Sequence, residues 1–162
     1  MKIKKILIIV LCMMCITFLP GCFETELYKL DIKGSSVGIL DYSGTESALV
    51  TPTEIEGYEI SELGYSVYSL NIYIREVKIT SNIHYIRACA FWYCSYLEKV
   101  YIPSSVTSIE PYAFHGCKNL KEVYYEGSAE DFLKMFEDSL DNLNSNSELV
   151  NANIHYNYSE EQ

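Results

Sequence analysis

The sequence predicts a repeat solenoid: mostly short parallel strands with brief helical turns, a β-hairpin closing the N-terminal end and a helix plus a strand closing the other. Three observations predict it. Apolar residues recur at a fixed offset of 23 with no insertion, as in Ile60, Ile83 and Val106, in Leu63, Ile86 and Ile109, and in Tyr68, Phe91 and Phe114. The runs Val77-Lys78-Ile79, Val100-Tyr101-Ile102 and Val123-Tyr124-Tyr125 share that offset and alternate as strands do. The pattern fades before residue 54 and after Tyr125. That is where a stack of coils, none able to bury its apolar face alone, has to be closed against water. A period of roughly 20–29 residues with this texture is that of leucine-rich repeats.

Residues 1–21 stand outside the fold. Lys2, Lys4 and Lys5 make a basic start, and Ile6 to Phe18 is apolar apart from Thr17. A run of about 13 residues is too short to span a bilayer comfortably, and its flanks are those of a secretory signal. The ending Leu19-Pro20-Gly21-Cys22 resembles the lipobox of bacterial lipoproteins, with Pro20 in place of the usual small residue. The resemblance implies cleavage before Cys22, diacylation of Cys22, and a lipid-anchored chain outside the cytoplasm in the bacterial cell envelope. An uncleaved N-terminal anchor and an ordinary signal peptide are the alternatives, and both still export the chain. Residues 22–26 form a short tether. The five residues between Cys22 and Tyr28 reach only about 20 Å when extended, so the domain 27–158 sits close to the membrane.

The whole chain has 12 Lys+Arg against 22 Asp+Glu, a net charge of −10. The three signal lysines have no acidic partner, so the exported part carries −13. Phosphate backbones repel such a surface, which excludes nucleic acid as a partner. Anionic headgroups repel it too, so membrane attachment falls to acyl chains. Of six cysteines, Cys12 and Cys15 leave with the signal and Cys22 is the lipidation site, leaving Cys89, Cys94 and Cys117. An odd number argues against a full disulfide framework. Cys94 and Cys117 share one repeat column, about 4.7–4.9 Å apart at the backbone. That spacing allows a disulfide or two buried thiols acting as small apolar residues.

Residues 27–53 read as the N-terminal cap. Tyr28 to Ile32 alternates, Gly34 to Ser36 turns, Val37 to Tyr42 makes a second strand and Ser43 to Thr45 a second turn. Repeats follow at 54–76, 77–99 and 100–122. Each carries a short strand; Pro103 stops the last one, and Val106 to Ile109 returns across the coil. Pro111 sits at a first helical position for one tight turn over Pro111-Tyr112-Ala113-Phe114, which Gly116 ends. In the C-terminal cap, 123–158, Ser128 caps a helix over about 129–137 with Asp131 three residues on. Phe132, Leu133 and Phe136 form its apolar face. Asp138 to Ser147 is polar and Asn-rich and reads as a loop. Ile154 to Tyr158 alternates and adds a last strand, and 159–162 is a tail.

Two outward columns alternate in charge: Arg75, Glu98 and Lys121, and beside them Glu76, Lys99 and Glu122. Opposite charges on neighbouring strands contribute roughly 0.2–1 kcal/mol per pair, so the columns predict an in-register parallel sheet. A third column holds Lys78, Tyr101 and Tyr124. Tyrosine offers a large apolar face and a hydroxyl at low entropic cost. A tyrosine column on a concave sheet could hold a peptide or a sugar; alternatively it is cross-strand packing that supports the sheet. The expected binding face is Lys78, Tyr101 and Tyr124, flanked by Lys99 and Glu122.

The unit Ile102-Pro103-Ser104-Ser105-Val106 through Ala113-Phe114, Cys117, Leu120 and Val123 resembles the BspA-type leucine-rich repeat. The preceding unit keeps Ala90-Phe91, Cys94 and Leu97. The resemblance extends over roughly 27–158. Ile55-Glu56-Gly57-Tyr58-Glu59-Ile60 is similar to the family's opening segment, and Tyr124-Tyr125-Glu126-Gly127-Ser128 with Asn153-Ile154-His155-Tyr156 to its closing one. The 54–76 unit departs from the pattern with Tyr68 for Phe and Asn71 for Cys, and Arg87 and Glu110 replace a frequent Gly. The family resemblance implies adhesion or recognition by bacterial surface proteins rather than catalysis, with a protein or glycan ligand at the envelope. A structural or assembly subunit docked to another envelope protein, with no diffusible ligand, is the alternative.

Reactive motifs give no competing reading. His84, His115 and His155 lie in no metal-binding spacing such as HExxH. There is no GxSxG elbow and no phosphate-cradling glycine loop. The acids are scattered, so no pair is picked out for glycoside hydrolysis. The sequence therefore names no catalytic residue, no metal ligand and no cofactor.

Overall fold

The computed structural model describes residues 28–33, 36–136 and 140–159. The expected signal segment, Cys22, the tether, the turn at Gly34-Ser35 and most of the tail lie outside the described residues.

The chain coils between two sheets. β1 (Tyr28–Lys33) and β2 (Ser36–Tyr42) form an antiparallel hairpin. β2 then pairs in parallel with β6 (Glu62–Leu63), followed by β8 (Tyr85–Ile86) and β10 (Ser108–Ile109). The second sheet runs from β3 (Ala48–Val50) through β7 (Glu76–Lys78), β9 (Lys99–Ile102) and β11 (Glu122–Tyr125) to β12 (Asn153–His155), parallel throughout. Its register aligns Val77, Val100 and Val123, and aligns Glu76, Lys99 and Glu122, as the 23-residue period requires. A small hairpin, β4 (Glu54–Ile55) with β5 (Tyr58–Glu59), turns over Glu56 and Gly57 at φ 52° and 79°.

The core lies between the sheets. Ile60, Ile83, Leu63, Ile86 and Ile109 have no exposed surface. The rings of Tyr68, Phe91 and Phe114 stack on successive coils at 4.9 and 5.0 Å, each pair tilted by 15°. Each fully buried ring contributes about 1.5–3 kcal/mol of transfer free energy. Cys94 and Cys117 are free thiols. Each donates to a carbonyl one coil back, Cys94 Sγ to Tyr68 O at 3.0 Å and Cys117 Sγ to Phe91 O at 3.1 Å. Burial pushes the Cys94 thiol up to about 12, so it stays protonated and serves as a small apolar group with one donor.

The corner of each coil is a run of turns rather than a helical turn. Over Pro111–Gly116 the bonds join residues three apart, as from Ala113 N to Glu110 O at 3.3 Å and from His115 N to Tyr112 O at 3.2 Å. Ser66, Cys89 and Tyr112 occupy the left-handed region at φ 57°, 60° and 62°, and so do Leu70, Tyr93 and Gly116 at 60°, 54° and 79°. A left-handed residue cannot propagate a right-handed helix and costs about 1–2 kcal/mol where it carries a Cβ. The corner offsets this with bonds to the next coil: Tyr68 N donates to Ala90 O at 2.8 Å and Phe91 N to Ala113 O at 2.7 Å. Gly116 relieves the strain in the last coil, and a Cβ there would stand 2.8 Å from the Tyr93 ring.

The C-terminal cap departs from expectation in three ways. α1 (Ala129–Lys134) is capped by Ser128, whose Oγ accepts Asp131 N at 3.2 Å. It is shorter than expected, Leu133 is 53% exposed, and Met135 joins Phe132 and Phe136 in the core. The expected loop at 138–147 contains α2 (Leu140–Ser145) and leads into α3 (Ser147–Val150). Asn142, Ser145, Asn146 and Glu148 turn toward the backbone of the last coil. Ser145 Oγ accepts Tyr112 N at 3.1 Å, Asn146 Oδ1 accepts Phe114 N at 2.9 Å, and Glu148 Oε1 accepts Gly116 N at 2.9 Å. The last strand ends at His155 instead of Tyr158, because Tyr156 and Asn157 turn the chain, with Asn157 at φ 54°.

Candidate functional site

Strand alternation decides which side chains the second sheet turns outward. In β9 and β11 the burial alternates, with Val100, Ile102, Val123 and Tyr125 inside and Tyr101 and Tyr124 outside. Register then lines up Val50, Lys78, Tyr101, Tyr124 and His155 as one outward column. Tyr101 and Tyr124 stack at 4.8 Å with 12° between planes, and Tyr124 stacks on His155 at 4.5 Å with 8°. The face expected from sequence is therefore brought together, and it gains His155 and Tyr158. The Tyr158 ring leans on Tyr101 and Tyr124 at 5.7 and 5.0 Å, tilted by 54° and 60°. A cleft of about 20 Å³, lined among others by Lys78, Ile102, Pro103 and Glu126, remains beside it, room for about one water.

Lys99 and Glu122 stand on the neighbouring column. Lys99 Nζ lies 3.7 Å from Glu76 Oε2, and Glu122 Oε2 lies 2.7 Å from His155 Nε2 and accepts Asn153 Nδ2 at 2.9 Å. The bond with His155, then that from Asn153, holds the Glu122 carboxyl below its ordinary value. Arg75 pairs with Glu98 at 3.0 Å, and Lys121 continues that column through its N–H, which donates to Glu98 O. The Tyr101 phenol is raised, first by burial and then by the Glu76 carboxylate.

The profile of the BspA type leucine rich repeat region matches residues 20–158 in six copies. The chain belongs to the BspA-type leucine-rich-repeat family. No curated protein matches it. Solved structures of leucine-rich proteins share the fold at low identity. A leucine-rich repeat protein of T. pallidum is 21% identical with a TM-score of 0.57, over 61% of this chain and 50% of its own. A leucine-rich cell surface protein of Faecalibacterium prausnitzii is 24% identical at 0.55, over 67% and 34%. A leucine-rich repeat protein from Bacteroides capillosus is 21% identical at 0.56, over 60% and 77%. The chain thus spans half the length of the T. pallidum protein and a third of the F. prausnitzii one.

Sequence reasoning missed one cluster on the first sheet of this BspA-type solenoid. Glu62, whose side chain is 6% exposed, accepts Arg87 Nε at 2.9 Å and Nη2 at 2.5 Å. Arg87 Nη1 reaches Glu110 at 2.7 Å, and Glu110 Oε2 accepts Ala88 N at 2.9 Å. Desolvation opposes the guanidinium charge, but the bonds to Glu110 and Glu62 outweigh it and raise its pKa. Gly38 leaves room for Glu62, whose Cγ would stand 2.8 Å from a Cβ there. The signal was in the sequence: Arg87 and Glu110 are opposite charges in a column where the family often has Gly. Both carboxylates are tied to the one guanidinium, which braces three successive coils.

The histidines lie apart. His84 is exposed beside Tyr85, His115 sits 3.9 Å from Glu148, and His155 belongs to the ring stack. Among the described residues no three His, Cys, Asp or Glu side chains converge as metal ligands.

Proposed function

We propose that the chain is an exported, lipid-anchored protein of the bacterial cell envelope whose short solenoid is a protein-binding recognition module. Its face is Lys78, Tyr101 and Tyr124, flanked by Lys99 and Glu122, and its anchor is Cys22. The coplanar stack of Tyr101, Tyr124 and His155 carries the reading. A pyranose binds aromatic residues by lying on an open ring face. Here both faces of Tyr124 and one of Tyr101 are taken by neighbouring rings, so what points outward is ring edges and phenol hydroxyls. Edges and hydroxyls beside alternating charges suit a protein surface, where tyrosine is enriched among the residues that dominate affinity. The exposed lysine and glutamate rim adds specificity and on-rate more than affinity. The family membership and the surface location of the F. prausnitzii relative support the same class.

Binding of the exported chain to arrayed matrix proteins, mucins and envelope glycans tests the reading. The expected result is a protein hit that the double substitution Tyr101→Ala/Tyr124→Ala abolishes while the melting temperature holds. A glycan hit that survives this substitution would overturn it. Capture of one stoichiometric envelope protein, with no diffusible ligand, moves the assignment to an assembly subunit. Cys22→Ser should release the chain from the membrane fraction and end labelling by an alkyne fatty acid.

A further inference from the structure

Tyr158 occupies the proposed face although the strand that delivers it has already ended. β12 stops at His155, and Asn157 takes a left-handed φ of 54° to reverse the chain. Asn157 N donates to Gly127 O at 2.9 Å and Tyr158 N to Tyr125 O at 3.0 Å, which sets the Tyr158 ring over the column. Both faces of Tyr124 are already covered, so the 60° contact of Tyr158 is made with ring edges. Ile102 and Pro103 supply apolar walls beside it, and Lys78 and Glu126 supply one charge of each sign. Among the described residues the Tyr158 hydroxyl has no hydrogen-bond partner, so its side chain is held by ring and apolar contacts. With that ring in place about 20 Å³ is left, too little for a second one.

We propose that Tyr158 is an intramolecular stand-in for an aromatic side chain of the partner, a tyrosine or phenylalanine on an extended peptide segment that enters by displacing it. This deepens the reading of the face as a protein-binding site and rests on it. The seat is built for an aromatic ring because one already fills it. A ring without a hydrogen bond is also the cheapest kind of occupant to move. Occupation by Tyr158 lowers the apparent affinity by the fraction of time the seat is empty.

The test titrates the peptide Gly-Gly-Tyr-Gly-Gly, with blocked ends, into the exported chain. The ring protons of His155, which stacks in the same column and is kept in every variant, are followed by NMR, and Gly-Gly-Ala-Gly-Gly is the control. Tyr158→Ala should bind the tyrosine peptide about tenfold more tightly than the unsubstituted chain, the loss of two aromatic edge contacts being of that order. Tyr158→Phe should match the unsubstituted chain, and the alanine peptide should bind neither. Tyr158→Ser replaces Tyr158→Ala if the latter does not fold. Equal affinity with and without Tyr158, equal binding of the two peptides, or no binding after Tyr158→Ala would each overturn the inference. So would tyrosine-peptide binding that persists in Tyr101→Ala/Tyr124→Ala. A protein partner that still depends on Tyr101 and Tyr124 would in those cases leave the proposed function standing.

Discussion

Asn146 Oδ1 accepts the N–H of Phe114 at 2.9 Å, in the place where Ala113 O accepts the N–H of Phe91 one coil earlier at 2.7 Å. A side chain thus imitates the backbone of a coil that is not there. The Asn146 amide nitrogen donates to Glu110 O at 3.1 Å and to Asn142 O at 3.0 Å, and the residue has no exposed surface. Asn146→Ala strands the buried N–H of Phe114, at about 1–3 kcal/mol, and removes bonds to Glu110 O and Asn142 O, which keep Ala113 N and Ser145 Oγ as donors. We expect a loss of about 2–4 kcal/mol in urea unfolding; a change under 1 kcal/mol would show that the cap is held otherwise.

Glu148 caps the same edge and gives it a pH dependence. Burial opposes its charge, but the N–H of Gly116, its own N–H, the Ser147 hydroxyl and His115 together hold the carboxyl below its ordinary value. An acid whose folded value is depressed stabilises the fold fully above its unfolded value and loses that contribution as the pH falls through the folded one. The melting temperature should therefore fall with acidification from the ordinary glutamate range downward. Glu148→Gln should flatten part of that fall and cost about 1 kcal/mol at neutral pH, a charged acceptor being stronger than a neutral one.

Lys99 stands in register between Glu76 and Glu122. Lys99→Glu puts three carboxylates in a row on adjacent strands. The expected cost is about 0.5–1 kcal/mol in dilute buffer, shrinking in 1 M salt because the groups are exposed. A melting temperature unchanged in both buffers would count against electrostatic support of the register.

Arg87→Ala leaves Glu62 buried beside Gly38 without its cation, at a cost of about 3–5 kcal/mol. The double variant Glu62→Gln/Arg87→Met should regain much of that, since the penalty lies in the unpaired charge rather than in the lost pair. Urea midpoints of the two variants check it, and equal losses would mean that the guanidinium acts by packing alone.

The repeats were legible because their chemistry is periodic. Ile83, Phe91 and Val100 each find their counterpart 23 residues on, and one offset fixes both sheets. The tyrosine column followed from the same register. The Ser128-capped helix and the last strand of the C-terminal cap were legible, but the segment 140–150 between them was not, because Asn142, Ser145 and Asn146 are polar residues that face inward. Hydropathy reads such a stretch as a loop, whereas their partners are backbone groups of a coil more than 30 residues away. Leu133 was misplaced because α1 is a single short helix that turns Phe132 inward and leaves its sequence neighbour Leu133 on the solvent side. The seat of Tyr158 depends on a left-handed Asn157, which alternation cannot foresee. The Glu62–Arg87–Glu110 brace was half visible, as two charges in a column where glycine is frequent.

The bonds that Ser145, Asn146 and Glu148 accept from Tyr112, Phe114 and Gly116 all come from main-chain N–H groups, and every coil offers the same groups at the same corner. The lid is therefore indifferent to how many rungs lie beneath it. Duplicating the segment 100–122 would hand it an identical set of donors and lengthen the tyrosine ladder by one step. Lineages could thus tune reach and grip by slippage of a 23-codon unit, with no redesign of the stopper.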